Sequence, residues 1–180
     1  HEKGIKILGE GSGMQHYLYD PILYQKTNDI PMGEFWTSEQ DPRADCKNAS
    51  SVAHVYGKKI VAAEAFTGGG GNLWRLTPFD FKKMGDEAFT LGINQFVLHS
   101  YVHQPYDVAP GFTLEQFGNH FQRLNSWYSH SDGWLNYIAR SQYLLREGDL
   151  VTDVCYFTGE GIPGYLGLRR ELTPHLSDGY

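Results

Sequence analysis

The sequence predicts an α/β protein in which a parallel sheet is covered by helices on its outside. Three observations carry this. Apolar runs at residues 5–8, 29–36, 59–66 and 93–100 alternate with segments of helical periodicity. The runs at 59–66 and 93–100 are almost continuously apolar, as in strands buried on both faces. Successive runs recur after about thirty residues, the length of one strand–helix–strand repeat.

Each element follows in order. Residues 5–8 lead into Gly9-Glu10-Gly11-Ser12-Gly13, a strand entering a glycine-rich loop. A short helix is expected from Asp20-Pro21 to Lys26, and residues 29–36 form the second strand. Asp41 as N-cap and Pro42 at the first helical position open a helix to about Tyr56, which Gly57 ends in a left-handed conformation. Residues 59–66 are the third strand, and Gly68 to Gly71 form a flexible loop. Thr77-Pro78 opens the next helix, with Asp80 three residues after the cap as in a capping box. Phe81, Met84 and Ala88 share one face of that helix, Gly92 stops it, and residues 93–100 are the fourth strand. Past Pro105 and Pro110-Gly111, two helices are expected over residues 113–128 and 132–147. Leu135, Ile138 and Leu145 line one face of the second, with Gln142 interrupting the stripe and Gly148 ending it. Residues 150–157 read as a last strand; beyond Gly159-Glu160-Gly161 the Gly/Pro-rich sequence predicts no element.

Composition narrows the classes. The chain has 180 residues, room for one domain with a hydrophobic core. Its formal charge is −6 and its basic residues are scattered, so no stripe exists to neutralise a nucleic-acid backbone. No apolar run approaches the ~20 residues of a membrane span. Gly68 to Gly71 lacks the spacing of a dinucleotide-binding fingerprint. Cys46 and Cys155 lie far apart without a CxxC pair, which argues against zinc and against a disulfide scaffold. Two buried free thiols are expected, a single bridge being the other reading. His1-Glu2-Lys3 carries neither an initiator Met nor a signal peptide, and a piece of a longer protein is expected.

Function is sought at the carboxyl ends of the strands, where parallel α/β folds place their chemistry. Glu10, Glu34, Glu64 and the group His99, Tyr101 and His103 stand there. Thirty residues separate Glu34 from Glu64 and thirty-five separate Glu64 from His99, so neighbouring strands should bring them to one rim. Two carboxylates ringed by Phe35, Trp36, Phe66 and Tyr101 suit glycoside hydrolysis. In that chemistry one carboxyl protonates the leaving oxygen, and the other activates water or attacks the sugar. An apolar wall raises one carboxyl's pKa while a polar neighbour keeps the other ionised. Trp36, Phe66 and Tyr101 offer faces for a sugar ring, and Glu10, His99 and His103 offer hydrogen bonds to hydroxyls. The competing readings are a solvated Glu, a helix cap or a structural ion pair. His99 and His103 would ligate metal at this spacing only on a helix, which their strand-end and Pro-flanked setting argues against. His54, His120 and His130 are read as structural, Trp74, Trp127 and Trp134 as packing, and Glu160 as non-catalytic.

At these residues the chain resembles a known family. "DIPMGEFW", "AHVYGKKIVAAEAFT", "LGINQFVLHSYVHQP", "PGFT" and "YIARSQYLLREGDLVTDVCYFTGE", in this order from Gly9 to Glu160, resemble the bacterial α-L-rhamnosidases of glycoside hydrolase family 106. The resemblance implies a (β/α)8 (TIM) barrel within a larger secreted or periplasmic enzyme. It implies inverting hydrolysis of α-L-rhamnosidic bonds in plant or microbial glycans, assisted by calcium whose ligands it does not assign. Residues 1–149 would be the C-terminal half of the barrel, strands five to eight, and residues 150–180 the start of a following α/β domain. Carried over, Glu64 at strand seven is the general base that activates water, and Glu34 at strand six flanks or positions that water. The general acid would sit on strand four, before His1. A half barrel without it should be inactive and should expose an open sheet edge. The partners implied are a rhamnose-containing carbohydrate and the remainder of the polypeptide. Three rival readings stay open: another barrel glycosidase of β-galactosidase type, a sugar-binding protein without chemistry, and a metal-dependent hydrolase of another class.

Overall fold

Alternation along the strands sorts the sheet into a helix-covered face and an open face. The computed structural model describes residues 3–11, 19–38, 43–69, 71, 73–157, 159 and 173–174. Strands β1 (Leu8–Glu10), β2 (Ile30–Trp36), β3 (Ala62–Thr67) and β4 (Gln95–Leu98) lie side by side in sequence order, all parallel. Their register pairs Glu10 with Met32, Met32 with Ala62, and Ala62 with Gln95. Helices α1 (Pro21–Gln25), α2 (Arg43–Val55) and α3 (Pro78–Thr90) connect them, and α4 (Asp132–Glu147) follows β4. This is the parallel α/β order that the sequence predicts for the first four strands.

Phe35, Ala63 and Ala65 face the helices and are buried with Cys46, Ala49 and Ala53 of α2 and Phe81 and Ala88 of α3. Small residues let α2 lie directly on the sheet. At Gly33 a Cβ would stand 2.5 Å from the Asp45 carbonyl oxygen, so only glycine permits the approach. Each buried Phe in this layer contributes about 1.5–3 kcal/mol of apolar burial.

The helix ends obey the predicted chemistry. Asp20 accepts from the Ile22 and Leu23 amides at the start of α1. Gly57, at φ +65°, ends α2, and the Lys58 amide donates to the Ala53 carbonyl, closing a Schellman turn. The Thr77 amide and hydroxyl both lie 2.8 Å from the Asp80 carboxylate, which these bonds hold below its usual pKa. Gln142, the polar break in the α4 stripe, has a positive role. Its Oε1 accepts from the Phe96 amide, while Arg146 donates to the Asn94 carbonyl, so α4 tends the outer edge of β4.

Several expectations differ. The helix expected over residues 113–128 does not form; turns and a short 3-10 helix, Tyr128–His130, run there instead. Gly118 sits at φ +83°, which breaks a helix. Buried Asn119 and Gln122 instead bond the Phe66 and Pro110 carbonyls outside the segment, and Asn125 bonds the His120 carbonyl, which a helix would have paired internally. The last predicted strand, 150–157, is also absent: Val151 and Phe157 are 89% and 86% exposed. An apolar run becomes a strand only beside another strand, and none pairs with it among the described residues. Cys46 is buried, but Cys155 is exposed, and both are free thiols. β1 begins later than predicted and includes Glu10. The Asp41-Pro42 helix start, Ser12-Gly13 and Glu160 lie outside the described residues. No helix among the described residues is long and apolar enough to cross a membrane.

Candidate active site

The carboxylates leave the sheet on its open face. Glu34 and Glu64 are direct register partners on β2 and β3, and Glu10 ends β1 level with Met32. Neighbouring strands stand about 4.8 Å apart, so these acids repel one another. Burial, then the charges of Glu64, Glu34 and Asp45, push the Glu10 carboxyl up to about 7. Burial, then Glu64 and Asp45, push Glu34 up to about 7 as well, although contacts with the Trp36 and Thr67 side chains pull it part of the way back. Two of the three carboxyls therefore change protonation near neutrality.

Glu64 has a different setting, created by a break in β3. Strict alternation would put Phe66 on the same face as Glu64. The register slips between Phe35 and Trp36, so that Trp36 pairs with Thr67 and Phe66 becomes an extra residue. Phe66 adopts φ +62°, a left-handed conformation that a bulky residue rarely takes. The bulge turns the Phe66 ring into the core, fully buried, with ring centroids 4.8 Å from Phe35 and 5.2 Å from Phe81. It turns Thr67 toward the carboxylates, where the hydroxyl donates to Glu64 Oε1 at 2.7 Å. His99 completes a triangle, its Nδ1 lying 3.1 Å from Glu64 Oε1 and 3.2 Å from Thr67 Oγ1.

The loop after β4 locks the bulge. Asn119 Nδ2 donates to the Phe66 carbonyl at 2.6 Å and to Thr37 Oγ1 at 3.3 Å. The Asn119 amide donates to the His99 carbonyl at 2.9 Å, and the Gly118 amide to the Gly68 carbonyl at 2.8 Å. Thr37 donates its amide to the Thr67 carbonyl at 2.8 Å. Strained backbone at Phe66 is thus held from both sides.

The structure brings Glu10, Glu34, Glu64 and His99 to one end of the sheet, with Trp36 beside Glu34 and edge-on to Phe117 at 6.3 Å. It does not bring Phe66, expected at the sugar: the bulge places that ring wholly inside the core, out of reach of any ligand. Tyr101 is 58% exposed and borders a separate, largely apolar cavity of about 110 Å³ with Leu98, Phe121, Trp127 and Trp134. His103 is exposed, and no contact described joins it to the carboxylates. Of the residues read as structural, Trp134 and His120 are buried, and Trp127 donates to the Leu76 carbonyl at 3.1 Å. Trp74 is partly exposed and stacks against His120 at 4.1 Å.

Sequence reasoning missed Thr67, Thr37 and Asn119. Thr67 stands three residues after Glu64, the wrong parity for a shared strand face, and only a bulge corrects it. Asn119 lay inside an expected helix. The signal available was Gly118-Asn119 itself, a turn pair within that segment.

Among the described residues no group of three or more His, Cys, Asp or Glu side chains could hold a metal ion.

The sequence profile of glycoside hydrolase family 106, alpha-L-rhamnosidase, matches residues 1–180. A solved rhamnosidase from Novosphingobium sp. PP1Y superposes with a TM-score of 0.81 at 41% identity, covering 89% of this chain and 16% of that one. A curated protein of Formosa agariphila, named "Putative beta-glucuronidase", is 44% identical over 154 residues, covering 86% of this chain and 13% of the relative. The chain thus spans less than a fifth of the length of either.

Proposed function

The chain belongs to glycoside hydrolase family 106, the α-L-rhamnosidases, and from that premise we propose that it supplies one side of the active site of an inverting α-L-rhamnosidase. Glu64 is the general base. It takes a proton from water as the water oxygen bonds to the anomeric carbon and the glycosidic bond breaks. The observation that carries this is the open-face Glu64 carboxylate, one oxygen of which is held by Thr67 and His99. Glu34, on the neighbouring strand, borders the same water.

The general acid lies elsewhere in the polypeptide. Neighbouring strands place Glu34 and Glu64 about 4.8 Å apart at their backbones. An acid and base that flank both substrate and water stand roughly 6.5–9.5 Å apart. We assign Glu34 and Glu64, side by side on neighbouring strands, to one side of the substrate, and the acid to another strand. Exposed Ile7 and Leu8 at the free β1 edge suit further strands completing a (β/α)8 barrel. Trp36 offers a ring face to the sugar, while Glu10 and His99 bond its hydroxyls. Calcium, which the family resemblance implies, would assist sugar binding. The full-length enzyme works in the periplasm or outside the cell, where such glycans are met.

The Formosa relative's name raises a glucuronide as the second substrate. The charges acting on Glu10 and Glu34 are those of other carboxylates, Glu64 and Asp45 among them. They would repel a uronate and leave a neutral 6-deoxy sugar unopposed. The test is turnover of aryl α-L-rhamnoside, aryl β-glucuronide and aryl β-galactoside by the full-length polypeptide and its Glu64→Gln variant. Rhamnoside alone should be hydrolysed, with rhamnose released in the β configuration by NMR. Glu64→Gln should lower kcat by about 10³-fold or more. Release of α-rhamnose would overturn inversion, and turnover of the glucuronide alone would overturn the substrate.

A further inference from the structure

We propose that Thr67 is the positioning residue for Glu64, delivered to the open face by the left-handed bulge at Phe66, and that it commits Glu64 Oε1 so that Oε2 receives the proton of water. The inference rests on the reading of Glu64 as the base. The Thr67 hydroxyl has one proton; this side chain also touches Glu34, and its 2.7 Å contact gives the proton to Glu64 Oε1. His99 Nδ1 lies near the same oxygen at 3.1 Å and near the Thr67 hydroxyl at 3.2 Å. A bare imidazole nitrogen facing a carboxylate oxygen would be repelled, so Nδ1 carries the hydrogen and donates. Oε1 thus receives two donors and is poorly placed to accept a third proton. Rotation of the carboxyl group would break both bonds, so Oε2 is held in one place.

The backbone device behind this is unusual. Without the bulge, Phe66 would take the open face, and Thr67, three residues after Glu64, would leave on the helix-covered face. Phe66 keeps φ +62° because its ring fills the core against Phe35, Phe81, Phe96 and Trp134 and because Asn119 binds its carbonyl. Core packing on one face therefore sets the orientation of a carboxylate on the other.

The experiment compares Thr67→Val, which keeps the shape and loses the hydroxyl, with Thr67→Ser, which keeps the hydroxyl, in the full-length polypeptide with aryl α-L-rhamnoside. Thr67→Val should lose about 10- to 100-fold in kcat, as expected for one hydrogen bond to a charged group, with KM within about twofold of the parent. Thr67→Ser should restore most of that loss. Unfolding temperatures of both variants are read alongside. If Thr67→Val does not fold, Thr67→Ala against Thr67→Ser decides by the same criterion. Unchanged kcat in Thr67→Val, or equal loss in Thr67→Ser, overturns the positioning role. A dead Glu64→Gln beside an unaffected Thr67→Val overturns this inference alone, whereas an active Glu64→Gln overturns it together with the assignment of the base.

Discussion

The helix-covered and open faces of the same sheet are built on different physics. On the covered face, Phe35, Ala63 and Ala65 meet Cys46, Ala49 and Phe81 with no room to spare, and a Cβ at Gly33 would strike the α2 backbone. On the open face, Glu34 and Glu64 are register partners that repel one another when both are ionised, and Val97 is left exposed. Packing accounts for the first face, while the second is organised by hydrogen bonds and mutual repulsion. The difference shows where stability and chemistry reside, one residue apart along each strand. Phe66 joins the two, since its ring belongs to the covered face and its backbone turn presents Thr67 to the open one.

If that division holds, damage to the covered face should read as lost stability. Phe66→Ala should cost the most, about 3–5 kcal/mol, through the cavity it leaves. Turnover should fall as well, because Thr67 loses its placement. Denaturant unfolding with parallel kinetics checks both, and a variant that keeps full stability would break the comparison. Gly33→Ala should cost about 1–3 kcal/mol through overpacking against α2, with kcat less affected than in Phe66→Ala.

The open face should respond to pH instead. The folded state holds a proton on Glu34 up to about 7, whereas the ordinary value is 4.5. Its contribution to stability is therefore fully present below pH 4.5 and is lost as pH rises through 7. Glu10 titrates in the same window with the same sign. Glu34→Gln stays neutral throughout. It should match the parent at pH 4 and exceed it by about 1 kcal/mol at pH 8, once solvent screening is allowed for. Thermal unfolding at pH 4, 6 and 8 measures this, and a parent stability that rises toward pH 8 with no gain in Glu34→Gln would refute the proposed repulsion.

Much of the frame was legible in the residues. Strand runs ending in Glu10, Glu34 and Glu64, caps at Asp20 and Thr77 and stops at Gly57 and Gly92 are local signals, each readable within a few positions. The thirty-residue spacing sufficed to put Glu34 and Glu64 on neighbouring strands. Errors came where the partner was distant. Residues 150–157 have a strand's composition but no strand beside them among the described residues. Residues 113–128 have helical spacing, yet their polar side chains serve loops and strand ends far away in sequence.

By itself, then, the sequence determined the parallel order of the four strands, the helix ends at Asp20, Gly57, Thr77 and Gly92, and the family, because periodicity, capping and the order of motifs are written locally along the chain. Only the tertiary structure decided which side of the sheet Phe66 and Thr67 occupy. That choice depends on one inserted residue, whose left-handed strain is tolerable only while Asn119 and a distant aromatic core hold it in place.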